Sequence, residues 1–278
     1  MKLKPGNEIL TTTHDHYATE KSLEFSAAKS GAELKRVALY EDPAEASVDQ
    51  MVSALKKGVP PKTRIIAITY VHSGTGVKTP VRAIADMIKE VNANRGAADR
   101  IYLCVDGVHG FGTEDVSMYD LGCDFFAAGT HKWIFGPRGT GILFGKKDAW
   151  DMVAPTIPSF DFEAYMEWLD LYPAGKLTFG QLCSPGGFHS FEHRYGLIEA
   201  FEFQMKIGKT KVSDRTHALS SKLKEGLSNI KHIKLITPKE VALSAGINCF
   251  LVEGMKPDDV VKKLMTKRNI VANTSPYK

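Results

Sequence analysis

Two short apolar runs, each ending in an ionisable group, constrain this chain more than any other feature. Ile101 to Val105 (IYLCV) is rich in β-branched and aromatic residues, as a strand buried on both faces must be, and it ends at Asp106 and Gly107. Phe125 to Ala128 is a second such run. It ends at Gly129, Thr130, His131 and Lys132, and the glycine-rich GPRGTG follows at 136–141. An acid and an amine therefore leave the carboxyl ends of successive strands, the edge at which open α/β sheets bind ligands. Neighbouring strands lie about 5 Å apart, so Asp106 and Lys132 are expected one or two spacings apart, roughly 5 to 10 Å, with one small ring between them.

The remaining elements follow the same rhythm. A strand over 9–12 precedes a helix from Tyr17 to Ser30 that Gly31 closes, and a strand over 35–39 follows. Ser47 with Gln50 three residues on predicts a capping box for a helix to Lys57 that Gly58 closes. A strand over 64–71 then leads to Thr79 as N-cap and Pro80 as the first residue of a helix reaching about Asn94. Strands at 101–105, 125–128 and 141–145 complete the set. Strand and helix in alternation predict a three-layer αβα architecture around a mostly parallel sheet. From Trp150 to about Pro185 the pattern is irregular and aromatic, with Pro155, Pro158, Pro173 and Pro185 as breaks, a surface or interface connection. Helices are expected over 191–207, 213–227 and 257–267, strands near 233–236 and 247–252, and a last strand starting at Ile270. The domains expected are a large one over 1–205 and a smaller α/β one over 206–278. Both look incomplete, since the chain opens on the turn before a strand and stops at one.

Composition narrows the function. A net charge of +4, with lysines between Lys206 and Lys239 mixed with acids, describes a solvated helix face and not a nucleic-acid surface. Four cysteines lack CxxC spacing, and no apolar run is long enough to span a bilayer. The expectation is a cytoplasmic enzyme.

A carboxylate and a primary amine facing each other across a small ring suit pyridoxal phosphate. The amine forms a Schiff base with the aldehyde, and the carboxylate keeps the pyridine nitrogen protonated. The motifs VDGVHG at 105–110 and THKWIFGPRGTG at 130–141, with GNEILTTTHDHYA at 6–18 and VHSGTGVKTPV at 71–81, resemble the class V aminotransferases of pyridoxal-phosphate fold type I, in their isopenicillin N epimerase-like branch. The resemblance implies a homodimer acting on an amino acid as its small-molecule substrate. It makes Lys132 the Schiff-base lysine and proton carrier, and Asp106 the partner of the ring nitrogen. It also sets His16 on the ring face, Ser73 and His109 near the ring oxygen, and His131 at the phosphate.

Departures from the family pattern qualify this. The serine common three residues before the lysine is Gly129, and Phe188, in the loop Pro185 to His189 that relatives insert into the partner's phosphate site, stands where they use threonine. Phosphate binding should therefore be thin. Residues 268–278 contain no cysteine where desulfurases place a mobile one, which disfavours desulfuration. Two other readings stay open: an inactive family fragment with weak cofactor binding, and a zinc hydrolase using His14, His16 and His109, with His14 and His16 on one strand face.

Overall fold

Along each central strand successive side chains go to opposite faces of the sheet, and here both faces find an apolar cover. The structure is a computed structural model that describes residues 1–184, 187 and 190–275. Its strands are β1 (Glu8–Thr12), β2 (Glu33–Val37), β3 (Thr63–Thr69), β4 (Tyr102–Asp106), β5 (Phe125–Gly129) and β6 (Gly141–Gly145). They lie in the order β2-β1-β3-β4-β5-β6, parallel throughout except that β6 runs antiparallel to β5. The helices are α1 (Tyr17–Ser30), α2 (Val48–Gly58), α3 (Val81–Asn92), α4 (Met118–Leu121), α5 (Phe162–Trp168), α6 (Phe179–Cys183), α7 (Phe191–Ile207), α8 (Lys209–Ser228) and α9 (Pro257–Arg268). Leu10, Ile66, Ile68, Leu103, Val105 and Phe126 pack one face against α2 and α3 through Met51, Leu55, Ile84 and Ile88. Ile9, Ile65, Ala67 and Phe125 pack the other against Ala27 of α1 and Met152. This is the expected three-layer αβα sheet.

β7 (Ile233–Leu235) and β8 (Phe250–Val252) form a separate antiparallel pair. The segment between them docks on the turn after β3. Thr237 Oγ1 donates to the Thr75 carbonyl at 2.7 Å, and Val77 pairs with Ser244. Gly76 lies at φ +73°, with Thr237 Oγ1 2.4 Å from where a Cβ would stand, so only glycine fits this contact.

Three local expectations need correction. Thr79 does not cap α3: its hydroxyl donates to the Thr69 carbonyl at 2.7 Å, and Pro80 takes the cap position without a side-chain bond. Ser47 does accept from Gln50 N–H, at 3.2 Å, as one half of the box. The segment from Ile270 to Ser275 forms no strand, because α9 ends at Asn269 in a left-handed turn and the residues beyond it make no ladder with β7 or β8. The loop Pro185 to His189, including Phe188, lies outside the described residues apart from Gly187.

Candidate active site

Parallel pairing of β1, β3, β4 and β5 brings four strand carboxyl ends to one edge, and the candidate residues follow directly from those ends. After β1 the chain turns through Asp15. This carboxylate accepts from the Thr11 hydroxyl at 2.6 Å, the Thr12 N–H and hydroxyl at 2.8 Å each, and the Thr69 N–H and hydroxyl at 2.8 Å each. Burial pushes its carboxyl upward, while the bonds from the Thr11, Thr12 and Thr69 hydroxyls and the Thr12 N–H pull it down. The result is a clamp between the ends of β1 and β3. His14 is structural too: its Nε2 accepts from Leu39 N–H at 3.0 Å and its ring stacks on Tyr40 at 3.9 Å.

Asp106 ends β4. Its Oδ1 accepts from Val108 N–H at 3.1 Å, the turn-forming contact that Asp-Gly suggests, and its Oδ2 accepts from the Thr19 hydroxyl at 2.7 Å. The turn after Asp106 is packed too tightly for side chains at two positions. A Cβ on Gly107 would stand 1.8 Å from the Phe126 ring, and one on Gly110 2.1 Å from Tyr70. His109, between these glycines, points its Nε2 at Lys132 Nζ, 2.9 Å away, and its Nδ1 accepts from the Trp133 indole at 3.2 Å.

Lys132 lies in the loop after β5. Gln204 of α7 anchors that loop by donating to the Trp133 carbonyl at 2.6 Å, and Phe135 takes a left-handed φ of 60°. Burial draws the Lys132 amine below its ordinary range, opposed by Asp106. His109 beside it is neutral, for burial and then Lys132 hold its imidazole down to about 4.

His16, Asp106, His109 and Lys132 thus form one group, with Asp106, Lys132 and His16 each acting on the charge of His109. His16 is exposed at the N-terminus of α1, where its Nδ1 accepts from Ala18 N–H at 3.2 Å. His131 is exposed, its ring over Gly129, where an added Cβ would come within 3.0 Å of Cε1. Ser73 sits in the turn after β3 beside Cys249, whose Sγ is 3.7 Å from the Ser73 carbonyl. The three-histidine zinc arrangement is not formed. β1 stops at Thr12, so residues 14 and 16 do not alternate as strand positions: His14 is buried on Tyr40 and His16 is exposed. Among the described residues no group of three or more His, Cys, Asp or Glu is placed to hold a metal. Thr19, Trp133 and Gln204 were missed. Of these only Trp133 carried a signal, as an aromatic directly after the lysine.

A lysine and an aspartate presented with imidazoles at the carboxyl edge of a parallel sheet place the chain among α/β proteins whose sheet edge binds ligands. The chain belongs to the aminotransferase class-V family, whose model matches residues 1–274. It is 29% identical over 264 residues to a probable cysteine desulfurase of Halalkalibacterium halodurans, a match covering 94% of this chain and 59% of that protein. Isopenicillin N epimerase of Streptomyces clavuligerus is 27% identical over 254 residues, covering 89% and 60%. Among solved structures, the cystine C-S lyase C-DES in complex with its reaction product cysteine persulfide superposes with a TM-score of 0.82 at 23% identity, covering 99% of this chain and 69% of that one. The chain thus spans about six-tenths of the length of these two curated relatives. Among the described residues no helix is long and apolar enough to cross a membrane.

Proposed function

We propose that this chain binds pyridoxal phosphate through Lys132 and acts on an amino acid. The observation that carries this reading is the Lys132–His109 contact at 2.9 Å, at the same sheet edge as Asp106. An amine drawn below its ordinary range adds readily to an aldehyde. The residues present fit the cofactor: Asp106 would hold the ring nitrogen protonated, His16 would stack on the ring, His109 and Ser73 would face its oxygen, and His131 would meet the phosphate. When bound, the cofactor accepts the electron pair left at the substrate Cα. Lys132 then carries the Cα proton away and back, and Asp106, tied to Thr19, stays in place to keep its proton on the ring nitrogen.

None of the four cysteines in this chain has surroundings that favour its thiolate. Burial pushes Cys104 up to about 12 and Cys123 up to about 11, and raises Cys183 and Cys249 as well. The thiolate is the nucleophilic form, and none of these environments favours it. A transferase, an epimerase or a lyase acting on a sulfur-containing amino acid all fit the site.

The finer expectations belong to the same reading: a large domain over 1–205, a smaller one over 206–278, a homodimer, and a reducing cytoplasmic location that the four unpaired cysteines favour. Support for the dimer comes from the apolar side chains Phe160, Phe162, Trp168 and Leu171, each at least 68% exposed. Solvent-facing clusters of this kind mark association surfaces. The test is to add pyridoxal phosphate, reduce with borohydride and map peptides. The label should fall on Lys132 and vanish in Lys132→Ala. A label on another lysine would remove the reading, and failure to take up any cofactor would favour the inactive fragment.

A further inference from the structure

The Trp133 indole has no part in the reading above, yet its N–H is aimed at the nitrogen that decides how the site is protonated. Trp133 Nε1 donates to His109 Nδ1 at 3.2 Å, and His109 Nε2 lies 2.9 Å from Lys132 Nζ. An indole nitrogen can only donate, so Nδ1 must be the bare, accepting nitrogen of the imidazole. In a neutral ring the proton then sits on Nε2 and points at the lysine amine. For that contact to be a hydrogen bond Nζ must accept, and only an uncharged amine has a lone pair to accept with.

The other protonation states set donors face to face. An ammonium at Lys132 requires a bare Nε2, which moves the imidazole proton to Nδ1, against the indole N–H. An imidazolium presents N–H on both sides. Burial opposes both charged forms, holding His109 down to about 4 and drawing Lys132 below its ordinary range. Trp133 is itself held through its backbone and through its ring. Its backbone carbonyl accepts from Gln204 at 2.6 Å, and its ring lies against Gly246, where an added Cβ would come within 3.1 Å of Cη2.

We propose that Trp133 is a positioning residue acting through His109: its indole N–H locks His109 as the Nε2–H tautomer and thereby holds Lys132 as a free amine. This deepens, and rests on, the reading of Lys132 as the cofactor amine, although the lock is a property of the chain without ligand. A buried lysine beside a histidine would also react at lowered pH, but with no role for the indole.

Two measurements on the full chain without cofactor separate these accounts. In ¹⁵N-labelled protein at neutral pH, ring correlations of His109 should show Nε2 protonated and Nδ1 bare. The rate of Lys132 reductive methylation by formaldehyde and cyanoborohydride, followed by peptide mapping across pH, should have a midpoint below that of ordinary lysine. Trp133→Phe keeps an aromatic ring and removes the N–H. It should raise that midpoint by about one pH unit and slow labelling at neutral pH about tenfold, equivalent to about 1.4 kcal/mol. A proton on His109 Nδ1 in the unmodified chain, or a Trp133→Phe profile that coincides with it, overturns the lock. If the variant does not fold, the nitrogen measurement decides alone. An Nε2–H tautomer in a chain that fails to couple pyridoxal phosphate at Lys132 would leave the lock standing and remove only the cofactor reading.

Discussion

Asp106 divides its two oxygens between a turn and a side chain, and that division sets what its removal should do. Oδ1 accepts from Val108 N–H and Oδ2 from Thr19. Asn can keep one of these acceptors but cannot hold a pyridine nitrogen protonated. Asp106→Asn should therefore retain pyridoxal phosphate, seen by absorbance, while turnover falls roughly tenfold or more, at least about 1.4 kcal/mol of transition-state stabilisation. Equal turnover would separate Asp106 from the chemistry. Gly129 gives the opposite kind of change. No positive φ constrains it, and an added Cβ would meet only the His131 ring, at 3.0 Å, the movable end of an exposed side chain. Gly129→Ser should add one hydroxyl donor for the phosphate and tighten cofactor binding about tenfold by titration.

At the scale of elements, the central sheet was legible because its residues announce it locally. IYLCV and FFAA are apolar runs bounded by turn residues, and Gly31 marks the end of α1 by its left-handed φ of 72°. Asp106 and Lys132 were legible because strand ends in a parallel sheet share an edge. Thr79 was misread because a hydroxyl before a proline has two local options, and its acceptor, Thr69, lies in the preceding strand. Thr19 and Gln204 were invisible because their partners, Asp106 and Trp133, are 87 and 71 residues away. Lys224 of α8 is the same kind of residue. On the sequence it belongs to a solvated, lysine-rich face, yet it is 2% exposed and donates to the Pro238 and Lys239 carbonyls at 2.9 and 3.0 Å and to Ser244 Oγ. Lys224→Met would keep the aliphatic stem and strand three acceptors. At about 1–3 kcal/mol for each group left buried without a partner, urea denaturation should show a loss of about 3 kcal/mol or more. A loss within 0.5 kcal/mol, roughly what a surface change gives, would mean that water replaces the amine.

Across the whole molecule, charge groups at the sheet edge and behind it tie distant segments together, and they should make stability depend on pH. Burial lowers both His14 and His72 to about 4. Above pH 6.5 these rings are neutral folded or unfolded. Between 6.5 and 4 the unfolded chain binds their protons first, so stability falls as pH falls, by up to about 1.4 kcal/mol per unit for each ring. Unfolding midpoints between pH 7 and 5 should show that slope, reduced in His72→Gln. A flat profile would place the rings in water.

A second tie joins the turn after β3 to the segment after β4, with His217 of α8 beside it. Lys78 Nζ donates to Glu114 Oε2 at 2.7 Å, and both side chains are largely buried, 14% and 5% exposed. His217 of α8 stands 3.0 Å from Oε1 without the alignment of a hydrogen bond, so Lys78 is the partner that matters. A buried pair of this kind gives little net stability over apolar substitutes, because desolvating both charges offsets their attraction. Breaking it is another matter, since the remaining carboxylate is left in a site that cannot hydrate it. Lys78→Met should therefore cost about 3–5 kcal/mol, and Glu114→Leu a similar amount, while the double variant should lose much less than the sum. A double-mutant cycle by urea denaturation measures the coupling. Additive losses would show that the two residues act independently.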